Sequence, residues 1–239
     1  MIEIRNLTVQ FGGVRGINDL TATLAEAVTG LVGPNGAGKT TLLNVLSGFI
    51  SPTAGGVLVD GADVLRLAVH KRAAFGIRRT FQNEQVVENL SVEDNIAAVL
   101  DNVPTNGRPR RLLIRKALDY VGLSPRARML GGALNAFDRR MVEIARATVG
   151  APRLIMMDEP GAGLSEEEVA HLRDAIIGIP DFCGAQVLLV DHDVDLISAT
   201  CAATLVLDFG SKIAYGPTSQ ALKDPKVRAA YLGEVEDAA

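Results

Sequence analysis

The stretch Gly33-Pro34-Asn35-Gly36-Ala37-Gly38-Lys39-Thr40-Thr41 has residue types and spacing suited to holding a polyphosphate. Glycines let consecutive backbone N–H groups curl around phosphate oxygens. Lys39 reaches the β- and γ-oxygens, and Thr40 offers a hydroxyl to Mg2+. A plain glycine turn would explain neither the lysine nor the flanks, where the apolar run Val28–Val32 leads in and Leu42, Leu43 and Leu46 begin a helix that Gly48 ends. A second apolar run, residues 154–157, ends in Asp158-Glu159. A buried strand ending in two acids supplies one carboxylate for a metal's water shell and one for an attacking water. Alone, such a pair is more often a solvated loop; beside a phosphate loop in the same chain it reads as the second half of one site. Residues 187–190 repeat the design and place Asp191-His192 at another strand end, where α/β folds bind ligands. His70 and His171 have no such setting and read as structural.

These groups need a scaffold that brings strand ends together, and the patterning supplies one. Ile2, Ile4, Leu7 and Val9 alternate with polar residues, with a slip near Asn6, as on a half-buried strand with a bulge. Val57-Leu58-Val59 followed by Asp60-Gly61 reads as a strand and turn. From about residue 91 to 148 the pattern is helical, broken at residues 103–107 and at Gly131-Gly132. Met141, Ile144, Ala145 and Thr148 mark one helix face, stopped by Gly150 and Pro152. Strands return at residues 154–157, 187–190 and 204–207, and a further one at Ile213-Ala214-Tyr215, with a helix over 166–177 and short helices from Pro217 to about Tyr231-Leu232. The fold class is therefore α/β, a core interrupted by a helical insertion.

Composition fits that class. Of 239 residues, 48% are hydrophobic and 22% charged, which excludes disordered and collagen-like chains. With 4% aromatics and no Trp, the core is aliphatic. The net charge of −4 recommends no nucleic-acid partner. Two cysteines, Cys183 and Cys201, read as small apolar residues in a reduced compartment. The charged opening Met1-Ile2-Glu3-Ile4-Arg5 is unlike a signal peptide, and no apolar stretch approaches the ~20 residues of a membrane helix. A cytoplasmic chain whose membrane role runs through partners is expected.

Phe11, Thr80-Phe81-Gln82-Asn83, Glu143-Ile144-Ala145-Arg146-Ala147, Asp158-Glu159 and His192 occur in the order found in ABC transporter ATP-binding subunits, which the chain resembles over essentially its whole length. It is most similar to the subunits of branched-chain amino-acid uptake systems, through Arg79-Thr80-Phe81-Gln82-Asn83, Leu90-Ser91-Val92-Glu93-Asp94-Asn95 and the ending Asp224-Pro225 … Tyr231-Leu232-Gly233-Glu234. The resemblance implies a P-loop NTPase (ABC ATPase) core with an antiparallel β subdomain, residues 1–82 and 149–239, and an inserted α-helical subdomain, residues 83–148. It implies ATP and Mg2+ as cofactors, with Phe11 stacking on adenine and Gln82 touching the metal and the attacking water. Asp158 would hold the metal through water, Glu159 would act as general base, and His192 would contact the γ-phosphate. The implied partners are two transmembrane permease subunits, a second ATP-binding subunit and, indirectly, a substrate-binding protein. The implied location is the cytoplasmic face of the membrane.

The chain departs from this family at one stretch. Counting back from Arg146, the signature Leu-Ser-Gly-Gly-Gln falls on Leu134-Asn135-Ala136-Phe137-Asp138, where only Leu matches. Leu130-Gly131-Gly132 is a rival register, one helical turn too far from Glu143; Val121-Gly122-Leu123 keeps the spacing for the first. Asn135 can still cap a helix. Phe137 adds bulk where backbone must approach closely, and Asp138 is expected to add negative charge beside a partner's phosphate. Ser165 stands where the family has Asp or Asn. These departures imply weak turnover in isolation and a heterodimer with a subunit whose signature is intact. The alternatives are an ATPase of another ABC transporter, such as lipopolysaccharide export, a nucleotide-binding subunit of weak activity, and a non-transport ABC ATPase of translation or DNA repair. The last of these usually carries two cassettes or long coiled coils, which this chain lacks.

Overall fold

The computed structural model describes residues 1–232, so Gly233 and Glu234 of the tail lie outside the described residues. Two compact units form, residues 1–68 with 188–239 and residues 69–187.

In the first unit the chain runs through β1 (Ile2–Phe11), β2 (Val14–Leu24), β3 (Val28–Val32), α1 (Lys39–Ser47), β4 (Ala54–Val59) and β5 (Ala62–Asp63). β1 buries Ile2, Ile4, Leu7 and Val9, and its register slips between Ile4 and Leu7, where Asn6 has φ 47°. The expected bulge is there. Strands β2-β1-β4-β5 form an antiparallel sheet. β2 escapes the sequence reading because the left-handed Asp19 (φ 49°) interrupts the alternation of Ile17, Leu20, Ala22 and Leu24. Every residue of β3 is buried, as a strand covered on both faces requires.

The second unit contains α2 (Val69–Phe75), β6 (Ile77–Arg79), α3 (Val92–Val99), α4 (Arg110–Tyr120), α5 (Ala136–Thr148), β7 (Leu154–Asp158) and α6 (Glu166–Cys183). β6 and β7 pair in parallel, with Ile77 opposite Leu154 and Arg79 opposite Met156. α3, α4 and α5 pack on one another, and α5 also packs on α6. These contacts join residues 149–187 to the helices within the second unit. α6 outruns the expected 166–177 by six residues. Pro180 falls in the last turn without ending the helix, which stops at Gly184 (φ 78°).

β8 (Gln186–Val190) carries the chain back to the first unit, which adds α7 (Val194–Thr200), β9 (Ala203–Asp208), β10 (Ser211–Pro217), α8 (Thr218–Ala221) and α9 (Pro225–Leu232). β9 lies parallel to β3 and antiparallel to β10.

Candidate functional site

The glycine loop links the end of β3 to the start of α1, and its shape is dictated by close packing. A side chain at Gly33 (φ 154°) would meet the Leu207 carbonyl at 2.2 Å, and one at Gly38 (φ 103°) the Gly16 carbonyl at 2.5 Å. Both positions therefore accept glycine only. The Ala37 N–H donates to the Pro34 carbonyl at 3.1 Å, and the Ala37 carbonyl accepts from Gly210 at 3.0 Å, which ties the loop to the β9–β10 turn. Lys39 curls over the loop, its Nζ donating to the carbonyls of Gly33 (2.5 Å) and Pro34 (3.0 Å). Gly38, the N-cap of α1, has no side chain to cap with, so the first turn keeps the positive end of its dipole for an anion. Asn35, Gly36 and Thr40 are exposed there, and Thr41 is half-exposed.

Phe11 stands at the end of β1, 49% exposed. Its ring edge lies over Gly16, where an added Cβ would also touch the Thr41 methyl. The aromatic is thus held open beside the start of α1, and Gly16, which the sequence reading did not single out, makes the room. His192 follows β8 with its side chain 69% exposed, and its Nδ1 lies 3.6 Å from the buried Asp191 carboxylate.

In the second unit the ends of β6 and β7 are joined twice by side chains. The Arg79 guanidinium pairs with Asp158 Oδ2 at 2.8 Å, both side chains largely buried, and lies 4.9 Å over the Phe81 ring. Gln82 Nε2 donates to Glu159 Oε2 at 3.0 Å. Glu159 itself has φ 49°, a left-handed conformation that is costly for this residue type. Gln82 thus meets Glu159, and Asp158 precedes Glu159 as the last residue of β7. Arg79, which enters the sequence reading only within the Arg79-Thr80-Phe81-Gln82-Asn83 motif and with no role there, is the partner that holds Asp158.

The segment after Gln82 is fixed from beneath by α5. The buried Arg140 donates to the carbonyls of Phe81 (2.9 Å) and Gln82 (3.1 Å) and pairs with Glu143 (2.9 Å) and Glu84 (3.2 Å). Glu143 accepts from the Gln85 N–H at 3.0 Å, and Arg146 donates to the Gln85 carbonyl. Burial pushes the Glu143 carboxyl above its ordinary range, against the opposing pull of Gln85 and Arg140. Asn95 holds Val87 from both sides, and Gly131 and Gly132 donate to Leu90 and Glu88.

α5 begins at Ala136, with Asn135 as N-cap accepting from the Asp138 N–H at 2.7 Å. Residues 134–138 therefore stand at a helix start, whereas Gly131 and Gly132 belong to the turn under residues 86–88. Leu134 is buried and Ala136 exposed. The charge expected to face outward at Asp138 turns inward instead: the carboxylate is buried and paired with Arg126 at 2.6 Å. Phe137 is half-buried, its ring 6.2 Å from that of His171. Ser165 caps α6 through a capping box with Glu168, which accounts for a serine at that position.

A strand, a glycine loop closed by lysine, and a helix with an open N-terminus define a phosphate-binding loop of the nucleotide-hydrolase type. Residues 17–162 match the ABC transporter family, and residues 211–237 match the family described as branched-chain amino acid ATP-binding cassette transporter. The chain belongs to the ABC transporter family, as an ATP-binding subunit. It is 36% identical to the high-affinity branched-chain amino acid transport ATP-binding protein BraF of Pseudomonas aeruginosa, over 98% of each chain. It is 34% identical to the lipopolysaccharide export system ATP-binding protein LptB of Escherichia coli, over 98% of this chain and 97% of that one. The ADP conformation of an ATP-binding cassette of an ABC transporter superposes with a TM-score of 0.85 at 27% identity, covering 98% of this chain and 99% of that one. ABC ATPases of this fold bind ATP and ADP, and those of importers dimerise and work with membrane permeases. Among the described residues no helix is long and apolar enough to cross a membrane.

Proposed function

We propose that the chain binds and hydrolyses ATP to energise an importer of branched-chain or related amino acids. The match of residues 211–237 to the branched-chain cassette family carries this reading, supported by full-length likeness to BraF. Export of lipopolysaccharide is the second reading, favoured by the likeness to LptB.

In this proposal Phe11 stacks on adenine and the N–H groups of residues 33–41 hold the phosphates, with Lys39 leaving its loop carbonyls for the β- and γ-oxygens. Thr40, Gln82 and Asp158 offer only oxygen donors, which fits Mg2+; when bound, the ion neutralises charge on the phosphates. Glu159 takes the proton of the attacking water, oriented by Gln82. His192 contacts the γ-phosphate. Residues 82–89 couple the nucleotide to a permease at the cytoplasmic face of the membrane. The second ATP-binding subunit presents an intact Leu-Ser-Gly-Gly-Gln to this chain's phosphate loop, and a substrate-binding protein delivers the amino acid to the permeases.

Two variants test the reading. Lys39→Ala removes the cation that offsets phosphate charge, so ATP affinity falls tenfold or more, a loss of about 1.4 kcal/mol and upward; an unchanged titration refutes the phosphate-loop assignment. In cells that depend on this chain, Glu159→Gln abolishes uptake of labelled leucine and valine and leaves lipopolysaccharide delivery intact. The opposite pattern assigns the chain to export.

A further inference from the structure

The α4 helix carries a charge pattern that neither nucleotide chemistry nor permease coupling uses. Residues 108–116 include Arg108, Arg110, Arg111, Arg115 and Lys116 and no acid, in a chain whose net charge is −4. All five are exposed. Arg110 pairs with Asp101 at 2.7 Å; Arg108, Arg111, Arg115 and Lys116 form no ion pair among the described residues. Of the nearby acids, Asp94 accepts from Ser91 Oγ and Asp119 from Ser124 Oγ, each at 2.5 Å, while Glu93 stands in the first turn of α3.

The placement opposes helix stability. α4 has no acid in its first turn and opens on Arg110 and Arg111, at the end where the macrodipole repels cations. α3, α5, α6 and α7 all carry acids there. Between the cations, Leu112 and Ile114 are half-exposed along a groove of about 940 Å3 that α4 forms with α3. Cations interleaved with aliphatic side chains suit an anionic lipid surface, where the charged heads meet phosphates and the aliphatics reach the acyl boundary. Nucleic acid fits less well, because residues 108–116 offer no aromatic platform for bases.

We propose that the N-terminal half of α4 is a membrane-contact surface that binds anionic phospholipid headgroups directly, apart from the permease contact proposed for residues 82–89. The ATPase would then have two footholds at the bilayer, one protein and one lipid.

The test uses the purified full-length chain without nucleotide or permease, so its outcome is separate from that of the transport reading. Co-sedimentation is measured with vesicles of phosphatidylcholine alone and of phosphatidylcholine mixed with phosphatidylglycerol. The chain binds the anionic vesicles only, and added salt releases it. The combined substitutions Arg111→Gln, Arg115→Gln and Lys116→Gln weaken binding about a hundredfold. ATP affinity and far-ultraviolet circular dichroism of this variant stay at the parent level, which shows that the fold is kept. Equal binding to both vesicle types, no binding to either, or full binding by the triple variant overturns the proposal. So does retention on RNA in preference to anionic vesicles.

Discussion

Asp158 is the proposed metal carboxylate, and Arg79 already holds one of its oxygens. The pair holds Asp158 in one rotamer and leaves the other carboxylate edge as the face on which a metal's water shell would be met. Arg79 lies three residues before Gln82, so the same short strand end aims two of the groups the chemistry needs. A different residue reports on the first unit. Cys201 is buried at the end of α7, and burial, then the nearby Asp191, pushes its thiol from 9.0 up to about 12. A thiol whose folded pKa lies above its unfolded one stabilises the fold fully below pH 9, and that contribution fades as pH rises towards 12. Urea unfolding followed across this window is expected to show declining stability, and Cys201→Ala is expected to flatten the decline. A slope that the substitution leaves unchanged assigns the loss to other groups.

At the scale of elements, the start of α5 decides how the signature proposed for residues 134–138 acts. Because Asp138 is buried against Arg126, its charge is not the obstacle anticipated from sequence; what remains is the missing serine hydroxyl at Asn135 and the bulk of Phe137. Asn135→Ser combined with Phe137→Gly is expected to raise ATP turnover of the chain alone by about tenfold or more, since restored donor sets of this kind are worth ~10²–10³. Asp138→Asn is expected to change it little. Steady-state phosphate release distinguishes the two. Along the proposed coupling segment, residues 82–89, Val86 is buried, whereas Val87 is 48% exposed. A cysteine at Val87 is the expected crosslinking partner of a permease cytoplasmic loop, and failure there and along residues 82–89 counts against coupling through this segment. The glycine loop, the acid pair after β7 and the bulge in β1 were legible because local spacing alone encodes them. The inward turn of Asp138 and the Arg79–Asp158 pair were not, because each joins residues whose meeting depends on tertiary packing. α2, β6 and α7 went unread for a related reason: each is seven residues or shorter, with too few turns or pleats to set up a period.

For the whole molecule, the proposed heterodimer makes a quantitative demand. The chain alone is expected to hydrolyse ATP slowly, and a second subunit carrying Leu-Ser-Gly-Gly-Gln is expected to restore turnover. In that pair Glu159→Gln removes most activity, while changes at residues 135–138 matter little. Fast hydrolysis by the purified chain alone would show that its own signature suffices. Glu159 also sets a limit on how the molecule can be improved. Its left-handed backbone (φ 49°) is a conformation that glycine adopts freely and glutamate holds at about 1 kcal/mol or more. With Glu159 as the proposed general base, selection for heat resistance and selection for turnover pull position 159 in opposite directions. A library screened for thermal survival alone would be expected to accept glycine there, yielding hardier proteins that hold ATP and no longer spend it.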